Sequence, residues 1–332
     1  MGKAAPWGVG LADDPVEASH AKHTPTIGFT LNWWQAVILG LVEGITEYLP
    51  VSSTGHLIIA AAILGLDRPP ETKAAVDAFL VVVQGGAILA VLGLYRARIA
   101  QMLRGLVGKD PVGLRLVINL VIAFIPAAVL GLMLDEAIEA ALFRPGPVVA
   151  ALAVGGVYML ALEAWRSGKF SAVKASNVET GIEELTPVRA LVIGLMQCVA
   201  LWPGTSRSMM TITAGYLVRL RPAAAAEFSF LLGLPTLGAA CVYKLAKDLL
   251  RDGHDGHVSM FKSLGVVPVL LGVAVATLAA TLAIKWLVGF LNRRGLAPFG
   301  WYRLLLALGL LGLILGGVVR IAPDAPPPTP TA

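Results

Sequence analysis

Long apolar runs alternate with polar segments along this chain. A membrane-spanning helix needs about 20 mostly apolar residues. Six segments meet this requirement, at roughly 76–95, 114–134, 147–165, 225–245, 265–287 and 303–320. We see none of the short alternating segments that are typical of a membrane β-barrel. The pattern therefore predicts an all-α integral membrane protein with six transmembrane helices.

Two further apolar regions are interrupted by polar residues. Residues 33–66 are broken by Pro50, and residues 188–220 are broken by Pro203. In each region, two short helical runs flank the break, as in a hairpin that enters the bilayer and leaves on the same side. Irregular backbone at membrane depth is tolerated only where protein or a water-filled cavity satisfies it. We therefore predict two re-entrant helical hairpins.

The two halves of the chain resemble each other. GLVEGITEYLPVSST (40–54) parallels GLMQCVALWPGTSRS (194–208), and FLVVVQGGAILAVLGLY (79–95) parallels FSFLLGLPTLGAACVYK (228–244). Both offsets are about 150 residues, and paired interrupted segments point to a binding site at the midplane, between two repeats. We assign one membrane domain at 31–320, with repeats at about 31–165 and 187–320. A flexible N-terminal extension (1–30) precedes it, and a disordered proline-rich tail (321–332) follows it.

Composition and charge set the class and the orientation. The chain is 57% hydrophobic and 14% charged, against about 25% charged residues in soluble domains. The net charge is +5, but the basic residues form no stripe on a soluble face that would bind nucleic acid. Basic residues concentrate in the loops after 95, 165 and 287, the last with Arg293, Arg294 and Arg303, which predicts that these loops are cytoplasmic. The acidic loop at 135–146 should be external, and the repeats are then inverted, with both hairpin tips near the middle of the membrane.

The first break carries acids, hydroxyls and a histidine. Glu43 and Glu47 are four residues apart, so both carboxylates lie on one helix face. Carboxylates at membrane depth are costly and indicate a functional site. After Pro50, Ser52 or Ser53 can cap a second helix, whose free N–H groups bind anions. His56 lies three residues after Ser53 and should share its face.

The second break repeats this chemistry with an arginine. Thr205, Ser206 and Ser208 supply hydroxyls, Arg207 supplies a planar fork suited to phosphate, and Thr211 lies one helical turn further on. Together the two tips fit a phosphate group with a divalent cation held by acidic side chains, since the cation removes their repulsion of phosphate.

Structural explanations compete with this one. Serine and threonine in membrane helices often bond to their own backbone, a lone arginine extends to the interface, and a lone histidine packs. The acidic pair is harder to explain by structure alone. Gln84, beside two glycines inside a span, indicates either close helix packing or a polar contact to the site, and the sequence leaves both open.

The two long motifs, EGITEYLPVSSTGH (43–56) and ALWPGTSRSMMTIT (200–213), resemble those of the bacterial undecaprenyl-diphosphate phosphatase family, also called the bacitracin-resistance family. VVVQGGAILAV (81–91) and EFSFLLGLP (227–235) resemble it as well, and the likeness runs from about 31 to 320. Met209 departs from the pattern, because the family usually has glycine after its Ser-Arg-Ser.

The resemblance implies an enzyme that removes the terminal phosphate of undecaprenyl diphosphate, recycles the carrier lipid for peptidoglycan synthesis and confers bacitracin resistance. It implies a multi-pass protein of the bacterial plasma membrane, embedded among membrane lipids, with its site open to the outer face and a divalent cation, Mg²⁺ or Ca²⁺. By motif, the catalytic residues are Glu43, Glu47, Ser53, His56 and Arg207, and Glu43 and Glu47 hold the cation. The phosphate-binding residues are Ser52, Thr54, Ser206, Arg207, Ser208 and Thr211.

The nucleophile is left open between Ser53 and an activated water, with His56 as general acid or base. Three other functions remain as alternatives. An inverted-repeat transporter of lipids or ions would use the same midplane residues. A phosphohistidine lipid phosphatase needs a second histidine after Arg207, where the next is His254. An intramembrane serine protease would pair Ser53 with His56. The oligomeric state, a homodimer included, is also left open.

Overall fold

The computed structural model of the protein describes residues 31–66, 70–167, 179–252 and 258–319. The predicted N-terminal extension (1–30), the tail (321–332) and His254 lie outside these ranges. Within them, the chain folds into thirteen α-helices and two short 3₁₀ helices, Ile182–Glu184 and Cys198–Leu201.

The α-helices, in chain order, have the following bounds: α1 (Trp33–Thr46), α2 (Ser53–Ile63), α3 (Pro70–Val82), α4 (Gln84–Leu94), α5 (Arg96–Leu106), α6 (Pro111–Leu142), α7 (Pro145–Arg166), α8 (Pro187–Gln197), α9 (Arg207–Leu217), α10 (Pro222–Leu250), α11 (Met260–Leu264), α12 (Val266–Arg294) and α13 (Ala297–Leu315).

The prediction of six transmembrane helices is confirmed. Six helical segments are long and apolar enough to cross a membrane, and they are Ala75–Leu94, Pro111–Ile138, Pro145–Arg166, Pro222–Leu250, Val266–Arg294 and Ala297–Leu315. The first consists of α3 and α4, which meet at Val83. Large apolar side chains on these helices face outward, for example Leu132, Leu282 and Leu305, as expected for a surface in contact with lipid.

Two predicted loops are helical instead. The segment 135–146 was predicted as an external loop, but α6 continues to Leu142. Its DEAIEAAL sequence consists mainly of good helix formers, and the helix ends shortly before Pro145, which begins α7. Arg303, predicted in a cytoplasmic loop, lies within α13 and is fully buried. It is tolerated there because backbone carbonyl groups accept hydrogen bonds from its guanidinium group.

Helix starts at the polar ends follow local sequence signals. A side-chain oxygen of Asp110 accepts a hydrogen bond from the Gly113 N–H at 2.8 Å, which caps α6 and lowers the pKa of that carboxyl group below its usual value. The Thr186 hydroxyl caps α8 in the same way, and prolines occupy the first turns of α7, α8 and α10.

Glycines let the two interrupted helix pairs, α1–α2 and α8–α9, pack closely inside the bundle. A Cβ atom at Gly40 or Gly44 of α1 would meet the backbone of α12, and one at Gly194 of α8 would meet the backbone of Ala123 in α6. Because no side chain separates these backbones, α1 packs directly against α12 and α8 packs directly against α6. This packing positions the two breaks for contact with each other.

One ion-pair cluster ties a connecting segment to the bundle. The Arg98 guanidinium group of α5 donates to Glu227 of α10, to Gln101 and to Glu183 in the segment before α8. This cluster fixes residues 179–186, which lead into the second interrupted pair.

Candidate active site

The two breaks meet in the interior of the bundle. Nη2 of Arg207 donates to Oε1 of Glu47 at 3.0 Å, and both side chains are almost completely buried, with exposed fractions of 9% and 6%. The Ser208 hydroxyl donates to the carbonyl oxygen of Leu49 at 2.8 Å. An acid from the first motif and the arginine of the second therefore form one buried ion pair, although they are distant in sequence.

Each break ends in a serine with unusual backbone geometry. Ser52 has φ +73° and Ser206 has φ +79°, in the left-handed region that non-glycine residues seldom adopt. Each serine hydroxyl accepts a hydrogen bond from the N–H three residues later, so Ser52 caps α2 and Ser206 caps α9. Such strain persists only where the surrounding structure holds it, and it is concentrated at functional sites.

The starts of α2 and α9 line a common cavity. The residues around it are Glu47, Ser52, Ser53, Thr54, Gln84, Ala200, Pro203, Gly204, Ser206, Arg207 and Leu237. Two helix N-termini, a guanidinium group and several hydroxyls thus face one space. Free N–H groups at helix starts and an arginine fork are both suited to phosphate oxygens.

Glu47 links the arginine to a hydroxyl. Its Oε2 atom accepts a hydrogen bond from Ser53 Oγ at 2.7 Å, while Oε1 accepts from Arg207. A hydroxyl within hydrogen-bond reach of a carboxylate that a third group orients is the geometry of an activated nucleophile. Ser53, Glu47 and Arg207 form such a set at the edge of the cavity.

A second layer of contacts fixes the orientation of Arg207. Its Nη1 atom donates to the carbonyl oxygen of Ser229 at 3.0 Å, and its guanidinium carbon lies 5.4 Å from the centre of the Tyr48 ring. The Thr211 hydroxyl bonds to the Ser229 hydroxyl at 2.6 Å and to the Arg207 carbonyl oxygen at 2.9 Å. Arg207 is therefore held on two sides before any ligand binds.

Glu43 lies one turn before Glu47 and is fully buried. Within the described residues, neither of its carboxylate oxygens has a hydrogen-bond partner. An orphaned carboxylate beside a second one is a hard oxygen donor set of the kind that binds Mg²⁺ or Ca²⁺. These two residues therefore fit a divalent cation, although the described part of the chain holds no group of three or more acidic, histidine or cysteine side chains there.

His56 does not line the cavity. Its Nδ1 atom is 2.7 Å from the Ser52 carbonyl oxygen, and its Nε2 atom is 2.7 Å from the Tyr302 hydroxyl. Because a carbonyl oxygen only accepts, Nδ1 carries the proton, and in the neutral imidazole the tyrosine hydroxyl donates to Nε2. Both ring nitrogens of His56 are thus hydrogen-bonded to other residues, and neither contacts Ser53, whose hydroxyl donates to Glu47.

The remaining predicted phosphate ligands divide between the cavity and the layer behind it. Ser52, Thr54 and Ser206 line the cavity. Ser208 and Thr211 are completely buried and bond to protein groups, Ser208 to the Ser206 hydroxyl at 3.0 Å and to Leu49.

Sequence reasoning did not identify several supporting residues, namely Tyr48, Ser229, Tyr302 and Arg303. Tyr48 follows Glu47 directly in the first motif, and Ser229 lies within EFSFLLGLP. Their positions in these motifs could have indicated that they support the site. Gln84 lines the cavity, while Gly86 two residues later packs against the α12 backbone. Both explanations that the sequence left open for this segment therefore hold.

Comparisons with known proteins identify the family of the chain. The family model described as "Bacitracin resistance protein BacA" matches residues 36–309. A protein of Sorangium cellulosum named undecaprenyl-diphosphatase is 48% identical over 283 residues, which cover 85% of this chain and 86% of the relative. Undecaprenyl-diphosphatase 2 of Rhodospirillum rubrum is 45% identical over 285 residues, 86% of this chain and 96% of the relative. The undecaprenyl-diphosphatase of Deinococcus radiodurans is 40% identical over 291 residues, 87% of this chain and 98% of the relative. With a family match over most of its length and both motifs at one cavity, the chain belongs to the bacitracin resistance protein BacA family.

Proposed function

We propose that the protein is an undecaprenyl-diphosphate phosphatase, which hydrolyses its lipid substrate to undecaprenyl phosphate and inorganic phosphate. The names of its relatives support this function. The observation that carries the proposal is the hydrogen-bonded set of Ser53, Glu47 and Arg207 at a cavity lined by two helix N-termini. The reaction would recycle the carrier lipid for peptidoglycan synthesis and confer bacitracin resistance.

Arg207 and the first turns of α2 and α9 bind the diphosphate. The guanidinium group is anchored to the Ser229 carbonyl and to Glu47, so its orientation is set in advance. Groups that need no rearrangement stabilise the charge that develops on the transferred phosphoryl oxygens most effectively. Ser52, Thr54 and Ser206 supply further polar atoms at the cavity wall.

The attacking group is either Ser53 or a water molecule. In the covalent route, Ser53 Oγ forms a bond to the terminal phosphorus, Glu47 accepts the hydroxyl proton, and the bond to undecaprenyl phosphate breaks. Water then hydrolyses the phosphoserine and releases inorganic phosphate. The distance of 2.7 Å between Ser53 and Glu47 supports the covalent route.

Glu43 and Glu47 would hold the divalent cation. When bound, the cation neutralises negative charge on the diphosphate and polarises its oxygens. Magnesium sites of this type commonly combine one or two carboxylates with substrate phosphates. The unpartnered oxygens of Glu43 support this assignment.

Membrane placement is part of the proposal. The interrupted pairs α1–α2 and α8–α9 are re-entrant hairpins of two inverted repeats, in a bacterial plasma membrane protein whose site opens to the outer face. Their matching left-handed serines, Ser52 and Ser206, support the repeat, and the charge bias of the loops supports the orientation. Homodimer formation stays a prediction, without support from the contacts described.

The alternative functions receive less support. No relative named above is a transporter, and an anchored hydroxyl–carboxylate pair is more than ion or lipid binding needs. A serine protease would pair Ser53 with His56, whose ring nitrogens bond to Ser52 and Tyr302. The histidine that a phosphohistidine enzyme would need, His254, lies outside the described residues.

Phosphate release tests the function directly. Purified protein in detergent should release inorganic phosphate from undecaprenyl diphosphate. A chelator should lower the rate by about 10-fold to 100-fold, and added Mg²⁺ or Ca²⁺ should restore it. Absence of phosphate release with every divalent cation, from protein with an intact thermal unfolding transition, would contradict the proposal.

Replacing Ser53 with alanine separates the two routes. If Ser53 is the nucleophile, Ser53→Ala lowers kcat by about 100-fold, because only slower attack by water remains. Mass spectrometry of rapidly quenched enzyme should then show phosphate on Ser53. Ser167→Ala, at an exposed serine, is the control. Near-normal turnover of Ser53→Ala would assign the attack to water.

A further inference from the structure

We propose that Tyr302 and Arg303, consecutive residues of α13, are positioning residues. They hold the two turns that precede the helices of the site: the first turn, which ends at Ser52 before α2, and the second turn, which runs from Gly204 to Ser206 before α9. His56 acts with them rather than on the substrate. The inference rests on the phosphatase function proposed above and deepens it. It assigns a role to α13, which carries neither of the two long motifs.

The first turn is held through His56. Its Nδ1–H donates to the Ser52 carbonyl oxygen at 2.7 Å, and the Tyr302 hydroxyl donates to its Nε2 atom at 2.7 Å. The two rings are also stacked, with centroids 5.6 Å apart and planes inclined by 4°. The histidine therefore bridges α13 to the strained residue at the head of α2.

The second turn is held directly by Arg303. Its Nη2 atom donates to the carbonyl oxygen of Gly204 at 2.9 Å and to that of Ala151 in α7 at 2.9 Å. Gly204 has φ +93° and lies two residues before Ser206, in the wall of the cavity. A Cβ atom at Gly155 of α7 would collide with this guanidinium group, so the glycine leaves the space that Arg303 occupies.

The contacts of His56 and Arg303 are both made to backbone carbonyl oxygens in the turns that precede α2 and α9. Ser52 and Gly204 both have positive φ, a conformation that neighbouring contacts must maintain at Ser52 because it is not glycine. Successive helical residues point about 100° apart, so one residue of α13 reaches the first turn while the next reaches the second. A rigid helix thus sets the spacing of the two anion-binding N-termini.

The burial of Arg303 supports this role. The side chain is fully buried, and within the described residues its Nε and Nη1 atoms have no hydrogen-bond partner. A buried guanidinium group is costly at membrane depth and is retained where it serves a site. Packing alone would be met by an apolar side chain of similar volume.

Steady-state kinetics on undecaprenyl diphosphate test the proposal. Tyr302→Phe keeps the ring and removes the hydroxyl, so kcat should fall about tenfold with KM little changed. Tyr243→Phe, at an exposed tyrosine of α10, is the matched control and should match wild type. Arg303→Lys keeps the charge and one donor nitrogen, so it should retain at least about tenfold more activity than Arg303→Met.

Two variants of His56 distinguish positioning from proton transfer. His56→Asn retains an N–H near the Nδ1 position, which can still donate to Ser52, and should be about tenfold more active than His56→Ala. If His56 instead transfers a proton to or from the substrate, the two variants should be equally inactive. Tyr302→Phe, which frees Nε2, would then not lower kcat.

The outcomes separate this inference from the proposed function. Failure of the wild-type enzyme to release phosphate would contradict the function itself. If wild type is active, either an unchanged kcat in Tyr302→Phe or no advantage of His56→Asn over His56→Ala would overturn the positioning role alone. Because Tyr302 is exposed and Tyr302→Phe retains its ring, this variant tests the role even if the Arg303 variants do not fold.

Discussion

Phosphate release is expected to fall by about 10³-fold when Arg207 is replaced by lysine. The arginine forms two anchoring bonds, to Glu47 and to the Ser229 carbonyl, and lies over Tyr48. A lysine ammonium keeps the charge, but its three N–H donors share one nitrogen and do not form a planar fork, so it cannot keep both anchoring bonds and also present a bidentate pair to phosphate. The measurement is kcat/KM on undecaprenyl diphosphate in detergent at saturating divalent cation.

The control for this substitution is Arg294→Lys, at an exposed arginine at the end of α12. It should leave kcat/KM within a factor of about two, since exposed charges contribute little. Thermal unfolding of both variants checks that the loss is not a loss of folded protein. If Arg207→Lys kept more than a tenth of wild-type activity, the claim that the guanidinium group stabilises the transition state would be wrong.

Replacing Glu47 with glutamine should lower kcat by about 10³-fold, because the site loses its proton acceptor. Both carboxylate oxygens now accept hydrogen bonds, one from Ser53 and one from Arg207. A glutamine offers one oxygen and one NH₂ group, so one of these donors would face another donor. The substitution keeps the volume but also removes a proposed cation ligand.

Two measurements interpret the Glu47→Gln result. The concentration of Mg²⁺ or Ca²⁺ that gives half-maximal activity should rise, if the residual activity permits the titration. Glu136→Gln, at an exposed acid in α6, should behave as wild type. Full activity of Glu47→Gln would show that neither proton transfer nor cation binding depends on this carboxylate.

Features that depend on local sequence were predictable. Each span is a long apolar run, and each break is marked by a proline beside polar residues, so six helices and two interrupted pairs follow from short windows. The contact between the two breaks followed from the internal repeat, because matching interrupted segments are expected at a shared interface. Glu47 and Arg207 do lie 3.0 Å apart.

Features that depend on distant partners were not predictable. Arg303 follows Arg293 and Arg294 in sequence and was therefore placed in their loop, yet its partners are carbonyl groups of α7 and of the second turn. Tyr302 resembles an ordinary interfacial aromatic residue, and nothing near it in sequence indicates His56. Spacing along one helix assigned His56 to the face of Ser53, whereas its partners are a backbone carbonyl and α13.

Backbone conformation was also hidden. A glycine would have signalled a left-handed residue at each turn, as Gly204 does. Ser52 and Ser206 carry no such signal, because serine at the start of a helix is common with ordinary dihedral angles. Their similar positions in the two halves, next to a proline break, were the one available hint.

The placement of Tyr302 and Arg303 on α13 also constrains how the protein is made. A ribosome delivers Glu47, Ser53 and Arg207 to the membrane well before α13 emerges. Until α13 inserts beside α7, the nascent chain contains every reactive group but lacks the hydrogen bonds from Tyr302 and Arg303 to the two turns. Catalytic competence would then be acquired only once α13 has inserted.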